Sequence, residues 1–205
     1  MEKTPRKSGQ ARREEIARAV LEILGEQGIA AVTTRNLAQR VGLTTGALFR
    51  HFPTTEAMLC EAVRVARAQV DATFPDPGLP PLRRVLTLAR ARVVLMGGSP
   101  GVAWLFRSEQ ARQSLPEECV DQLQELSIRS RGYLLDALRE GVTNGSIRPD
   151  IPAEDLLVPV LGTIHALIGM RGIHDSPVNG QGQTTERVLA ALELMLSPPP
   201  PVAHD

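Results

Sequence analysis

The residues best equipped for chemistry lie between Thr33 and Leu59, in TTRNLAQRVGLTTGALFRHFPTTEAML. This stretch gathers three guanidinium groups (Arg35, Arg40, Arg50), several hydroxyls (Thr34, Thr44, Thr45, Thr54) and an imidazole (His51). Arginine can address guanine bidentately, and threonine can meet a thymine methyl or bond a phosphate. The same residues make a poor catalyst. No Ser/His/Asp grouping, phosphate-cradling glycine loop or metal-ligand spacing stands out anywhere in the chain, so neither an enzyme nor a bound cofactor or metal is expected. His165 and His174 lie nine positions apart, on opposite sides of a helix, which argues against a shared metal.

The elements that must hold these groups follow from spacing. Thr33 or Thr34 can cap a helix whose apolar residues Leu37, Ala38 and Val41 share one face. Gly42 follows the last of them, where a left-handed residue ends a helix without a Cβ penalty. Leu43 turns inward, and Thr44 or Thr45 caps a second helix. That helix buries Leu48 and Phe52 and exposes Thr45, Gly46, Ala47, Phe49, Arg50 and His51. Pro53 stops it, and Thr54 with Glu56 opens a longer one. Ahead of the pair, a helix over about 10–27 carries the stripe Ile16, Val20, Ile23 and Leu24, with Glu14 facing Arg18 and Gly28 at its end. Two short helices joined by a glycine turn form a helix-turn-helix, in which the second helix enters the DNA major groove.

The residues in register support more. Thr33 and Thr34, Leu37 and Ala38, Gly42-Leu43-Thr44, Gly46-Ala47-Leu48-Phe49-Arg50-His51-Phe52, then Glu56 and Leu59 resemble the pattern of the tetracycline-repressor (TetR) family of bacterial transcription regulators, over roughly 12–62. The resemblance implies base contacts from Arg35, Thr45, Gly46 and Ala47, supported by Phe49. It implies phosphate contacts from Thr34, Thr44, Arg50, His51 and Thr54; His51 has an alternative as a half-buried packing residue. Two departures stand out. Phe49 replaces the family's usual Tyr and loses a hydroxyl, and Thr55 replaces its usual Lys and loses a cation, leaving helix N–H groups to meet that phosphate.

Charge divides the chain. It holds 23 basic and 23 acidic residues, but residues 1–70 carry 11 against 7 and residues 71–205 carry 12 against 16. Lys3, Arg6, Lys7, Arg12 and Arg13 suggest a basic arm that would make DNA affinity steeply salt-dependent. No N-terminal apolar run suggests a signal peptide, so a cytoplasmic protein is expected. Cys60 and Cys119 are isolated in sequence and are expected as thiols in a reducing compartment.

The expected fold is all-α: a flexible arm over 1–9, a three-helix DNA-binding domain over 10–73 with its helix-turn-helix at about 34–53, a helical ligand-binding and dimerisation domain over 79–197, and a disordered tail over 198–205. PDPGLPP after Phe74 separates the domains. Beyond it, helices are expected at about 82–96, 102–112, 117–143, 153–173 and 185–196. Family architecture implies an effector pocket among the first four. Its candidate lining is Leu86, Val93, Trp104, Phe106, Tyr133, Leu134 and Ile164, with Arg92, Thr163 and His165 as polar handles. With only 3% aromatic residues, an aliphatic or modest-sized effector is expected.

The segment 156–170 has no formal charge, is too short and interrupted to span a membrane, and needs cover on more than one side. It is expected to pair with the last helix, and both with their copies, in a four-helix bundle using Leu157, Leu161, Gly162, Ala166, Val188, Leu192 and Met195. The resulting expectation is a homodimeric repressor on a palindromic double-stranded DNA operator, released by a small molecule. The alternatives are a regulator without an effector, or an activator.

Overall fold

The computed structural model describes residues 8–169 and 181–199. The described residues hold ten α-helices, one 3-10 turn and no strand. In order these are α1 (Gly9–Gln27), the 3-10 turn (Ile29–Ala31), α2 (Thr34–Arg40), α3 (Thr45–Phe49), α4 (Thr55–Asp71), α5 (Pro81–Gly98), α6 (Pro100–Arg107), α7 (Glu109–Ser114), α8 (Glu117–Asn144), α9 (Ala153–Gly169) and α10 (Gln181–Leu196). None is long and apolar enough to cross a membrane among the described residues. Most of the expected arm (1–7), most of the expected tail (200–205), and His174 lie outside the described residues.

The chain forms two compact units. The first joins Met1–Asp71 to Gly98–Leu126; the second joins Ala72–Gly97 to Ser127–Asp205. In the first, Ile16, Val20, Ile23 and Leu24 of α1 are buried with Leu37, Leu48, Phe52, Met58, Ala62, Val63 and Ala66. The expected apolar stripe of α1 thus faces inward. Helix α1 also packs closely against α6, an approach made possible by glycine. A Cβ on Gly101 would meet the Leu21 carbonyl oxygen at 1.9 Å, and one on Gly25 would meet the Gly101 nitrogen at 2.6 Å.

Three expectations need correction. The single helix expected over 102–112 is two, α6 and α7, because Ser108 is extended (φ −85°, ψ 126°) and its N–H closes α6 onto the Trp104 carbonyl. Apolar spacing could not register this break, since Val102, Leu105, Ala111 and Leu115 are all buried across it. Arg12 and Arg13 do not belong to an arm. Ser8 caps α1 by accepting from the Ala11 N–H at 3.1 Å, so both arginines are helical. Finally, Cys60 and Cys119 are not isolated thiols but a disulfide, with Cα atoms 5.8 Å apart across a sequence separation of 59. Separation along the chain does not limit proximity between packed helices, here α4 and the start of α8.

The second unit buries Val85, Leu86, Leu88, Ala89 and Val93 of α5 with Leu134, Ala137 and Leu138 of α8, Leu156, Leu157, Val160, Ile164, Leu167 and Ile168 of α9, and Leu189, Leu192 and Leu196 of α10. Gly145 (φ +74°) turns the chain after α8, and Asn144 Oδ1 accepts from the Ser146 N–H at 3.0 Å. The chain then returns to α10, where the Arg148 N–H donates to the Leu196 carbonyl at 2.9 Å.

Candidate nucleic-acid interface

Each end in the Thr33–Thr55 segment is made by a specific backbone or hydroxyl contact. Thr33 Oγ1 accepts from the Asn36 N–H at 3.2 Å, which starts α2. Gly42 takes φ +66°, and its N–H and that of Leu43 return to the carbonyls of Gln39 (3.4 Å) and Ala38 (2.9 Å). This pair of bonds satisfies the last carbonyls of α2 and reverses the chain in few residues. Thr44 Oγ1 then accepts from the Ala47 N–H at 3.2 Å and starts α3, while Thr54 Oγ1 accepts from the Ala57 N–H at 3.1 Å and starts α4. Of the alternatives open in the sequence, the caps are therefore Thr33 and Thr44.

With Leu48 and Phe52 fully buried, the opposite side of α3 faces outward. Arg35, Thr44, Thr45, Gly46, Phe49, Arg50 and Thr54 are exposed, and Thr34, Ala47 and His51 are half-buried. The ten candidate DNA-binding residues thus occupy α2, α3, the turn between them and the turn from α3 to the start of α4. Phe49 is 45% exposed.

Neighbouring acids divide the cations into two groups. Arg40 pairs with Glu26 at 2.7 Å and Glu22 at 3.3 Å. Arg64 pairs with Glu61 at 2.7 Å, and these contacts, led by the Arg64 hydrogen bond, hold the Glu61 carboxyl below its ordinary range. No carboxylate among the described residues pairs with Arg35 or Arg50. Thr44 uses an oxygen lone pair for capping and keeps a hydroxyl proton to donate, whereas the Thr54 hydroxyl also bonds the Glu56 carboxylate and helps hold it below its ordinary range.

Sequence reasoning missed Arg13. Its Nη1 donates to the His51 carbonyl at 2.7 Å, and its guanidinium lies 4.2 Å from the centre of the Phe52 ring. It therefore fixes the end of α3 to α1, which supports the reading face without being on it. Asn36 does the same for α2, donating to the Ala31 carbonyl at 2.9 Å and to Gln27 at 3.2 Å. Apolar periodicity gives no signal for either contact.

The ten pocket candidates are not brought together in one unit. Trp104 and Phe106 lie on α6 in the first unit; the other eight belong to the second. Leu86, Val93, Leu134 and Ile164 are core residues there, Tyr133 packs against that core, Thr163 is half-buried and His165 is exposed. Arg92 is buried. Of the interface candidates, Leu157 and Leu192 turn into the unit's own core, while Leu161 and Val188 are half-buried and Gly162, Ala166 and Met195 are exposed. Cys60, Cys119 and Glu118 are close enough to share a metal ion, but the two sulfurs are bonded to each other.

Comparison with known proteins agrees with this geometry. Residues 16–62 match the family model described as bacterial regulatory proteins, tetR family. The transcriptional repressor KstR2 of Mycolicibacterium smegmatis is 26% identical over 148 residues, covering 70% of this chain and 71% of its own. The nucleoid occlusion factor SlmA of Vibrio atlanticus is 30% identical over 133 residues, covering 63% of this chain and 67% of its own. Among solved structures, KstR2 of Mycobacterium tuberculosis superimposes with a TM-score of 0.74 at 20% identity, covering 91% of this chain and 95% of that one. AibR, solved with isovaleryl coenzyme A and operator DNA, gives 0.73 at 18% identity, covering 92% and 99%. The chain belongs to the tetR family of bacterial regulatory proteins and is a helix-turn-helix, DNA-binding regulator of transcription.

Proposed function

We propose that the protein is a repressor that binds a palindromic operator as a homodimer and is released by a small-molecule effector. The observation that carries this reading is that Arg35, exposed on α2, and Arg50, exposed at the end of α3, pair with no acid among the described residues. Arg35, Thr45, Gly46 and Ala47 would meet base edges, with Phe49 beside them. Thr34, Thr44, Arg50, His51 and Thr54 would meet phosphate.

A dimer is supported by the apolar surface that α9 and α10 leave uncovered. Val158 is 65%, Leu194 78% and Met195 56% exposed, and Gly162 has nothing within 4 Å of a Cβ position. Gly162 and Ala166 lie one turn apart and would allow a second helix to approach closely. Two recognition helices about 34–36 Å apart would then fit successive major grooves on one face of DNA. An effector in the second unit would act by changing that spacing, and a nearly complete switch needs roughly 5.5 kcal/mol of preference for one state.

Selection of DNA fragments by the purified protein, followed by binding titrations with and without effectors, tests this. One palindromic sequence upstream of a gene, released by a small molecule, is the expected result. A second reading is a DNA-binding regulator with no small-molecule effector. Many dispersed sites insensitive to every ligand would support it.

A further inference from the structure

Arg92, midway along α5, is a buried cation with no counter-ion among the described residues. It is 7% exposed. Its Nη2 donates to Ser130 Oγ at 3.0 Å, and its buried Nε has no hydrogen-bond partner. The guanidinium lies 5.0 Å from the centre of the Phe74 ring. No Asp or Glu among the described residues pairs with it. Arg129 stands 4.9 Å from the centre of the same ring. Burial draws the Arg92 pKa down to about 10, so the group still carries its charge at neutral pH. Arg84, two turns earlier on α5 and equally buried, makes the contrast: it is paired with Glu140.

An unpaired charge in a protein interior is among the most expensive groups to bury, and an apolar side chain of similar size would make a better core. What Arg92 lacks is a negatively charged acceptor. Ser130 holds the plane of the guanidinium and leaves the Nε–H unbonded; the edge joining Nε and Nη2 carries the parallel donors that a carboxylate takes with both oxygens. Phe74 and Tyr133 lie edge to face, with ring centres 5.3 Å apart. The Tyr133 hydroxyl is already committed to the Pro75 carbonyl at 3.0 Å, so the pair offers only apolar ring surface. Building on the effector-released reading above, we infer that Arg92 binds the carboxylate of the effector, and that the effector is an aliphatic acid. Ser130 positions the guanidinium, and Phe74 and Tyr133 meet the hydrocarbon.

Thermal melting of the full chain without DNA tests the assignment. The probes are sodium acetate, isovalerate, hexanoate, octanoate and decanoate, each against its own primary amide at matched ionic strength. At least one acid is expected to raise the midpoint by about 4 °C at ten times its half-saturating concentration, with no rise from its amide. Arg92→Met should melt no lower than the parent without probe and should lose the acid-specific rise. If no acid outperforms its amide, or if R92M keeps the difference, the assignment is wrong. Should R92M fail to fold, the acid-against-amide comparison in the parent decides alone. Operator release is measured separately. Release by an uncharged compound that ignores Arg92 would overturn this assignment and keep the repressor reading. An acid that binds at Arg92 yet never affects operator occupancy would do the reverse.

Discussion

Gly101→Ala tests the packing of the first unit more sharply than any change to a large residue. The added Cβ would sit 1.9 Å from the Leu21 carbonyl oxygen, 2.6 Å from the Leu21 carbonyl carbon and 2.9 Å from its Cα. All three are backbone atoms of α1, so no rotamer change can relieve the contact. Reaching ordinary van der Waals separation requires α1 and α6 to part by about 1.5 Å, and a gap of even 0.5–1 Å forfeits roughly a quarter to a half of each dispersion contact across it. Overpacking typically costs about 1–3 kcal/mol, and rigid backbone on the far side puts this case near 3 kcal/mol. For a chain of this length, that lowers the melting midpoint by about 6–12 °C. Circular dichroism melting and the urea midpoint both report it. The control is Gly98→Ala, three residues earlier, where an added Cβ meets nothing within 4 Å. It should be neutral or slightly stabilising. Gly25→Ala enters the same crossing from the other helix, meeting the Gly101 nitrogen at 2.6 Å. Once one substitution has forced the helices apart, the second should add less than its own cost. A Gly101→Ala protein that melts within 2 °C of the parent would show that the two helices do not cross this closely, and the account of the first unit would fail.

Arg50→Ala should weaken binding to every duplex to a similar degree and reduce the slope of log affinity against log salt by about 1 per protomer, whereas Arg35→Ala should also blur sequence preference; fluorescence anisotropy at several salt concentrations separates them. Reducing the Cys60–Cys119 disulfide opens a loop of 59 residues, worth roughly 4 kcal/mol on chain-entropy grounds, so a reductant should lower the urea midpoint of the parent and leave a Cys60→Ala/Cys119→Ala double variant unmoved. The Glu61 carboxyl is held below its ordinary value of 4.5 in the folded chain, so it contributes stability that is present above that value and lost as the pH falls through its lowered pKa. Glu61→Gln should flatten that part of the acid-denaturation curve, and an unchanged curve would remove Arg13 and Arg64 as its partners. Leu194→Asp, at a side chain 78% exposed, should convert a dimer to a 22.2 kDa monomer by light scattering, with helicity retained and operator binding lost.

What could be read from the chain alone was whatever depends on neighbours within four residues. The caps at Thr33 and Thr44, the left-handed Gly42 and the inward pair Leu48 and Phe52 are all set by local hydrogen bonding and helical period, and each appears where expected. The break at Ser108 was hidden because the apolar residues on its two sides keep facing the core, so the pattern reads through it. Contacts between distant segments were out of reach altogether. Nothing near Cys60 marks Cys119 as its partner, nothing near Gly101 announces the backbone of Leu21, and nothing in LARARVV distinguishes the charge of Arg92 from that of its exposed neighbour Arg90. Arg90 meets Glu186 at 2.8 Å in the open, while Arg92 is buried with no acid among the described residues, and only packing separates the two.

Helix α9 shows where the boundary between these cases lies. Its apolar residues cover nearly the whole circumference, so periodicity established that it needed cover on more than one side without saying which side met what. The fold divides it: Leu156, Leu157, Val160, Ile164, Leu167 and Ile168 face the unit's own core, and Val158, Gly162 and Ala166 face out. The outward stripe sits beside Leu161, which is only half-buried, and α10 leaves Leu194 and Met195 similarly uncovered. A stable monomer gains nothing by exposing such side chains, and scattered apolar residues would need no explanation. On α9 Val158, Gly162 and Ala166 recur every four residues, and on α10 Leu194 and Met195 are neighbours; Gly162 and Ala166 are small enough for another helix to come close. The proposed dimer would use that geometry as a four-helix junction between two copies.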